Sequence, residues 1–434
     1  MSNDSARRHR ISRLPKDLLE DLRPPQSYSV RGEEFAIGGQ RMAEKGAMGK
    51  TATRGIDMII KHKQAIRLLV VALAAIAWAT APALAQARTI KVTPTGSTTA
   101  IQEAVNEAVP GDTVFVRPGT YAGPTVSVQT SDLTIRGGKA AVIDATGDTY
   151  GITVGTKLTF DEGPTCPAYG VSNFTISGLT VENADDTGIF LFGVDKFHVT
   201  RGSYLNNDEY GIFPRCSRDG LIDKNSGGGG DDATIYVGVD NNVTVEGNKL
   251  TNGELGIELE STDNSFVLNN TLKNNTTGIF VIVLPGLPKS STEKALIEGN
   301  VVHRNNRPNP FPPLCQEPES PPGCTEEFTD DLQLLPSGTG ILNVGGHEVT
   351  IRKNTVTNNS TVGVGVVENP FGFGSSNNTT VTENKIVQNG RAPDPRTQGS
   401  GDIVYLDNPG NGSCISGNVF KTTFYPFGEP PACI

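Results

Sequence analysis

The sequence predicts a right-handed, single-stranded parallel β-helix, an all-β solenoid with a capping helix at its start. Three observations predict it. A Gly-Ile-like dipeptide recurs at one phase along the chain, short apolar runs alternate with polar residues around it, and the composition favours turns. There are 50 glycines among 434 residues, Asn and Thr are abundant, and helix formers are scarce after the first hundred positions. Such a pattern reads as many short strands joined by turns. The apolar member of the dipeptide falls at Ile189, Ile212, Ile235, Ile257, Ile279, Ile341, Val364 and Ile403, with gaps of 23, 23, 22, 22, 62, 23 and 39 residues. Each of the two long gaps equals one coil plus an insertion. Strands repeating at this period cannot bury an apolar face alone and must stack on one another. An antiparallel sandwich would show hairpin turns instead of one marker at one phase.

The first 87 residues stand apart. Residues 1–57 carry alternating charge without periodicity and read as disordered or as an over-extended reading frame. Residues 58–87 read as a signal peptide: Lys61, Lys63 and Arg67 precede the apolar run LLVVALAAIAW, and Ala83-Leu84-Ala85 supplies small residues for cleavage. A signal anchor is the alternative, since the uncharged run reaches about the ~20 residues that span a bilayer. The expected location is secreted, periplasmic or cell-surface, with no membrane insertion once the leader is removed.

The full chain has 37 basic and 47 acidic residues, a formal charge of -10. Residues 88–434 keep 23 basic and 39 acidic groups, which is near -16. That disfavours a nucleic-acid partner, because phosphate recognition wants clustered positive charge. All six cysteines lie in this part, and an even count in an oxidising compartment suggests disulfides. Cys315 and Cys324 share one Pro-rich loop and are the first pair to expect. No Cys/His spacing suggests zinc.

Residues 88–434 are read as the β-helix domain. The segment STTAIQEAVNEAVPGD places Ile101, Ala104, Val105 and Ala108 on one helical stripe, and Pro110-Gly111 stops it. This helix would cover the open edge of the first coil. An Asn sits shortly before several markers, at Asn183, Asn206, Asn252, Asn274 and Asn358. Asn tolerates the left-handed backbone of such turns, and stacked turns would form an amide ladder.

Strand period two then assigns faces. Ile189/Leu191, Ile235/Val237, Ile257/Leu259 and Ile279/Val281 point inward. Phe190, Phe213, Tyr236 and Phe280 point outward with Arg215, Glu258 and Glu260, an aromatic and carboxylate stripe suited to sugar rings and hydroxyls. At the turn before that strand, Asp185/Asp186, Asp208/Glu209, Asp231/Asp232 and Glu254 occupy equivalent places on four rungs. Carboxylates repeating every ~4.8 Å repel unless a cation sits between them or some stay protonated. Asp186, Glu209, Asp232 and Glu254 are therefore candidate ligands for Ca²⁺, a hard cation that takes oxygen ligands. Insertions at 307–337 and 390–400 leave the solenoid at this same edge.

The opening AIQEAVNEAVPGDTVFVRPGTY resembles the cap and first coil of pectin-lyase-like β-helix proteins, and the resemblance extends from Arg88 to Ile434. Within that superfamily, Asn206-Asn207-Asp208 and Gly230-Asp231-Asp232 are similar to two elements of polygalacturonases. Gly253-Glu254-Leu255-Gly256 stands where those enzymes carry a His element, and Thr277-Gly278-Ile279-Phe280 where an Arg/Lys element is expected. What the residues and the resemblance imply is an exported, monomeric protein that binds an extracellular polysaccharide, with cleavage of the glycoside hydrolase or lyase type as the expected chemistry if it is an enzyme. Its candidate catalytic residues are Asp208, Asp231, Asp232, Glu258, Glu260 and Arg215: Asp231 or Asp232 as acid, its partner or Asp208 as base, and Arg215 on an anionic substrate group. The rival reading is a non-catalytic surface or adhesion protein whose acidic edge is solvated or held by Ca²⁺. His198, His303 and His347 fall outside the stripe and read as structural.

Overall fold

The computed structural model describes residues 86–156, 165–315, 323–325, 331–397 and 399–433. The leader and the charged segment expected before residue 88 lie outside the described residues, apart from the last two positions.

Each coil of the chain gives one strand to each of three sheets. One such coil runs Thr187–Phe192, Val194–Thr200 and Ser203–Leu205, and the next begins at Tyr210–Arg215. Among the described residues the strands form sheets of twelve, eleven and ten, ordered by every third strand of the chain except at one end of each of the two larger sheets. The pairing is parallel: Thr187 lies against Tyr210, Ile189 against Ile212 and Phe192 against Arg215. The chain is therefore a right-handed parallel β-helix, as the period predicts. Ile279 pairs with Ile341 and Val364 with Ile403, so both long gaps are single coils carrying insertions.

The markers Ile189, Ile212, Ile235, Ile257, Ile279, Ile341, Val364 and Ile403 are all 0% exposed and line the core. Burying one such side chain stabilises the fold by roughly 1.5–3 kcal/mol. The glycine before the marker has a steric cause. A Cβ at Gly340 would sit 2.4 Å from the carbonyl oxygen of Gly363, and one at Gly363 2.4 Å from that of Asp402. On these rungs a Cβ would force the neighbouring coil to shift, whereas Thr234 and Asp402 hold the same position on two others.

The turn asparagines take the backbone expected of them. Asn183, Asn206, Asn252, Asn274 and Asn358 have φ between 51° and 67°. The buried amide ladder, however, is built one residue later and again at a second corner. Asn275, Asn305, Asn359 and Asn389 form one column, which ends on Asp402. Asn225, Asn248, Asn270, Asn300, Asn354, Asn384 and Asn418 form the other. At Asn270 the side-chain amide donates to Asn300 Oδ1 at 3.0 Å and to Val245 O at 2.9 Å, and the backbone N–H donates to Asn300 Oδ1 at 2.9 Å. Each ladder side chain satisfies buried backbone groups that would otherwise be orphaned at the corner.

The helix Thr99–Glu107 buries Ile101, Ala104 and Val105 against the first strands, Thr89–Val92, Thr113–Val116 and Val126–Val128. Its expected stripe is met, with Ala108 also buried. Disulfides join Cys315 to Cys324, as expected, and also Cys166 to Cys216 and Cys414 to Cys433. No helix among the described residues is long and apolar enough to cross a membrane.

Loops bound the outer face of the eleven-stranded sheet on both sides. The segments at 307–337 and 390–400 leave at the edge of the acidic turns and touch each other, Ser337 N–H donating to Asp394 Oδ2 at 3.1 Å and Arg396 to Leu335 O at 3.3 Å. Segments 283–295 and 368–379, which the periodicity does not announce, leave at the opposite edge, where Asn369 donates to Val283 O at 2.8 Å. Replacing Asn270 or Asn300 by Ala strands buried N–H and C=O groups and is expected to cost about 1–3 kcal/mol each. Urea unfolding midpoints check this, and an unchanged midpoint would contradict the ladder's role.

Candidate functional site

The acidic turns stack in register. Tyr210 N–H donates to Asp186 O at 3.1 Å, Leu255 N–H to Asp232 O at 2.9 Å and Thr277 N–H to Glu254 O at 2.9 Å. With Ile212 paired to Ile235, these bonds put Asp186, Glu209, Asp232 and Glu254 in one column, followed by Thr276. Asp208 and Asp231 form a second column beside it, joined by a 2.6 Å bond from Asp231 N–H to Asp208 O. Asp185 is exposed, Asp186, Asp208, Glu209 and Asp231 are half-buried, and Asp232 and Glu254 are buried.

The side chains meet the resulting repulsion with local partners. Thr187 Oγ1 donates to Asp186 Oδ1 at 2.5 Å. Glu254 Oε2 accepts from Thr276 Oγ1 at 2.5 Å, and its Oε1 lies 2.8 Å from Arg307 Nη1. Burial pushes the Glu254 carboxyl up to about 7, and the charges of Asp231 and Asp232 push the same way, against the Thr276 hydrogen bond and Arg307. Glu254 thus spends part of its time protonated at neutral pH beside two other carboxyls. Among the described residues no three or more His, Cys, Asp or Glu side chains converge to hold a metal ion. The expected Ca²⁺ ligands Asp186, Glu209, Asp232 and Glu254 are a spaced column, and the positive charge beside Glu254 is Arg307.

The outward stripe departs from expectation. Phe190, Phe213, Tyr236 and Phe280 are 1%, 4%, 5% and 4% exposed, and Glu258 and Glu260 are 0% and 4% exposed. The aromatic platform expected to be open is buried. The rings pack on one another up the sheet, Phe190 to Phe213 at 4.9 Å and Phe213 to Tyr236 at 4.4 Å between centroids. With Leu332 and Leu335 of the 307–337 insertion they make a second apolar cluster outside the solenoid's own core. Sequence periodicity assigned the face correctly, yet it could not say that the face is covered. Glu258 lies in register between Tyr236 and Phe280, and Glu260 between Gly238 and Ile282. Arg215 is half-buried in the same column, one rung before Gly238, and the Tyr236 ring lies over Gly238 between Arg215 and Glu260. Asp186, Asp208, Glu209, Asp232, Arg215, Glu258 and Glu260 all have partners within the chain.

Two site residues escaped sequence reasoning. Arg307 lies at the start of the insertion, where no period predicts its neighbour, and Thr276 replaces the acid that the column would otherwise carry. His198 is held by Asp223, Nε2 to Oδ1 at 2.7 Å, on the twelve-stranded sheet and away from the acidic turns. Burial pushes the Asp223 carboxyl up, but hydrogen bonds from Lys224, Thr200 and His198 outweigh it and hold it at about 2.

A family model described as "Right handed beta helix region" matches residues 168–306. Comparison with curated proteins finds no match. Among solved structures the chain is similar to the family 28 exopolygalacturonase of Yersinia enterocolitica, with a TM-score of 0.52, 13% identity, and coverage of 80% of this chain and 77% of that one. It is similar to a surface adhesin of Streptococcus pneumoniae, with a TM-score of 0.51, 14% identity, and coverage of 78% and 93%. The tailspike protein of E. coli bacteriophage HK620, solved with a pentasaccharide, gives a TM-score of 0.52 at 12% identity over 76% of this chain and 59% of that one. By fold this chain is a right-handed parallel β-helix. At such identities the likeness carries the fold and not the chemistry.

A raised carboxyl favours its protonated form in the folded state, so Glu254 contributes stability below about pH 4.5 that is lost as pH rises through about 7. E254Q is therefore expected to gain stability relative to wild type between pH 5 and 8. Unfolding midpoints across that range check it, and a flat difference would place the Glu254 carboxyl in the ordinary range.

Proposed function

We propose that this chain is an exported protein that binds a polysaccharide along the acidic edge of the eleven-stranded sheet. The observation that carries the reading is the in-register column Asp186, Glu209, Asp232, Glu254, with Asp208 and Asp231 beside it, at an edge where the 307–337 and 390–400 insertions rise. Carboxylates at fixed rung spacing accept hydrogen bonds from successive sugar hydroxyls. Glycosidic cleavage needs one protonated and one ionised carboxyl. Glu254, with its carboxyl at about 7, is the better proton donor, and Asp231 or Asp232 the base. This shifts the acid from the position that the polygalacturonase-like spacing implied.

Phe190, Phe213, Tyr236, Phe280, Glu258 and Glu260 take no part in this reading, because they lie within the strands of the covered face; Asp232 and Glu254 are as buried, but they sit at the edge of that face, where substrate contact requires only the turn to open. Export is supported by three disulfides and by the leader-like sequence at 58–87. Saccharide chemistry is supported by two of the similar structures, an exopolygalacturonase and a tailspike bound to a pentasaccharide.

The second reading, a non-catalytic surface protein, is favoured by the burial of the stripe and by the similar adhesin. A glycan-array screen followed by product analysis separates the two. Cleavage of a bound glycan, lost by about 100-fold or more in E254Q and D232N with binding retained, is the enzymatic outcome. Binding without products supports the surface protein, and undiminished cleavage by both variants would remove these residues from the chemistry. Absence of binding to any glycan would overturn the proposal.

A further inference from the structure

Asp240 lies in the turn between Ala233–Gly238 and Asn241–Glu246, at the opposite edge of the sheet from the acidic column. Register places it in a column of short polar side chains, Ser217, Asp240, Thr262 and Thr292. The hydroxyls of this column both accept and donate. Ser217 Oγ accepts the Val194 N–H at 3.0 Å and donates to Leu191 O at 3.2 Å. Thr292 Oγ1 accepts the Thr262 N–H at 3.3 Å and donates to Ile282 O at 2.8 Å, and Thr262 Oγ1 donates to Asp240 O at 2.8 Å.

Asp240 performs the first of these roles. Its Oδ1 accepts the Ser217 N–H at 2.5 Å. Its Oδ2 is buried with no hydrogen-bond partner, and the residue is 2% exposed. In the nearby asparagine ladder the corresponding second atom is a donor, Asn225 Nδ2 reaching Val199 O and Asn248 Nδ2 reaching Ile222 O, each at 2.9 Å. Asp402 shows what a buried carboxylate needs instead. At 1% exposure it accepts from Asn389 N–H and Nδ2 on one oxygen and from Lys421 and Thr422 N–H on the other. Asp240 has no such set of donors.

The charged groups on the neighbouring turns do not supply one. Arg218 on the rung before is paired with Asp195 at 2.7 Å, and Asp263 on the rung after is paired with Lys289. Glu260, buried on the rung after, brings no positive charge. Arg215 is the attractive charge, yet burial outweighs it together with the Ser217 and Gly238 hydrogen bonds, and the carboxyl is driven well above the usual range.

We infer that Asp240 is carried as a neutral carboxylic acid in the folded solenoid, in the place that the hydroxyls of Ser217, Thr262 and Thr292 hold on the other rungs of the column. The proton then belongs to the fold. Unfolding releases it to water at any pH above the ordinary carboxylate value, so the rung that carries Asp231 and Asp232 is tied to pH through a residue outside their edge. The stability contributed is complete below about pH 4 and falls as pH rises, by up to tenfold in the folding constant per unit.

Urea unfolding of the full chain between about pH 4 and 9, wild type against D240N, tests this. D240N should gain on wild type by up to about tenfold per pH unit, and D240T, which restores the hydroxyl of the column, should show the same trend. Difference infrared spectra should show a carboxylic-acid C=O stretch at neutral pH in wild type that D240N and D240T lack. A wild-type-to-variant difference that does not change with pH, or no acid stretch at neutral pH, overturns the inference. Should D240N fail to fold, the infrared comparison of wild type with D240T decides it.

Discussion

The structure depends on one constraint, the in-register parallel hydrogen bonding of each coil to the next. A coil without an insertion returns after 22 or 23 residues, and its strands bond in register to the rungs above and below. Side chains at equivalent positions are therefore piled on one another, whether the pile is favourable or not. For Ile and Val at the markers the pile is a core. For asparagine at the corners it is a chain of amide bonds that satisfies backbone groups no strand can reach. For glycine before most markers it is a steric demand, because at Gly340 and Gly363 a Cβ would meet the next rung's carbonyl oxygen.

The same constraint turns acidic residues into a problem that the chain must solve locally. Negative groups placed one rung apart cannot all stay ionised and buried without compensation. At Glu254 the compensation is partial protonation together with Thr276 and Arg307; at Asp186 it is a neighbouring hydroxyl. Asp402 and Asp240 show two further answers on other columns, one rich in N–H donors and one short of them. A solenoid with uniform geometry thus presents carboxyl groups of different character, and this unevenness is what chemistry can use.

Function in this fold resides in turns and insertions more than in the strands. An exopolygalacturonase, an adhesin and a tailspike share the winding, so the fold alone does not fix the function. In this chain the outer face of the eleven-stranded sheet is covered by apolar packing, while Asp208, Asp231 and their neighbours remain at its edge. The insertion from 307 to 337 contributes to both features, through Leu332 and Leu335 in the apolar cluster and through Arg307 beside Glu254.

Much of this was legible in the residues. The spacing of the Gly-Ile dipeptide determined the period, the inward face and the in-phase stacking of Asp186, Glu209, Asp232 and Glu254, because backbone pairing is local and repetitive. The stripe of Ile101, Ala104 and Val105 determined the cap, and the short separation of Cys315 and Cys324 determined one disulfide. The tertiary structure alone decided which asparagine of each turn enters the ladder, since a single residue's shift at a corner exchanges solvent for core. It alone decided that Phe190, Phe213, Tyr236 and Phe280 are buried and that Arg307 reaches Glu254. Those outcomes depend on the paths of segments without a period, and on burial, which sets the protonation of a carboxyl and is invisible in the order of residues.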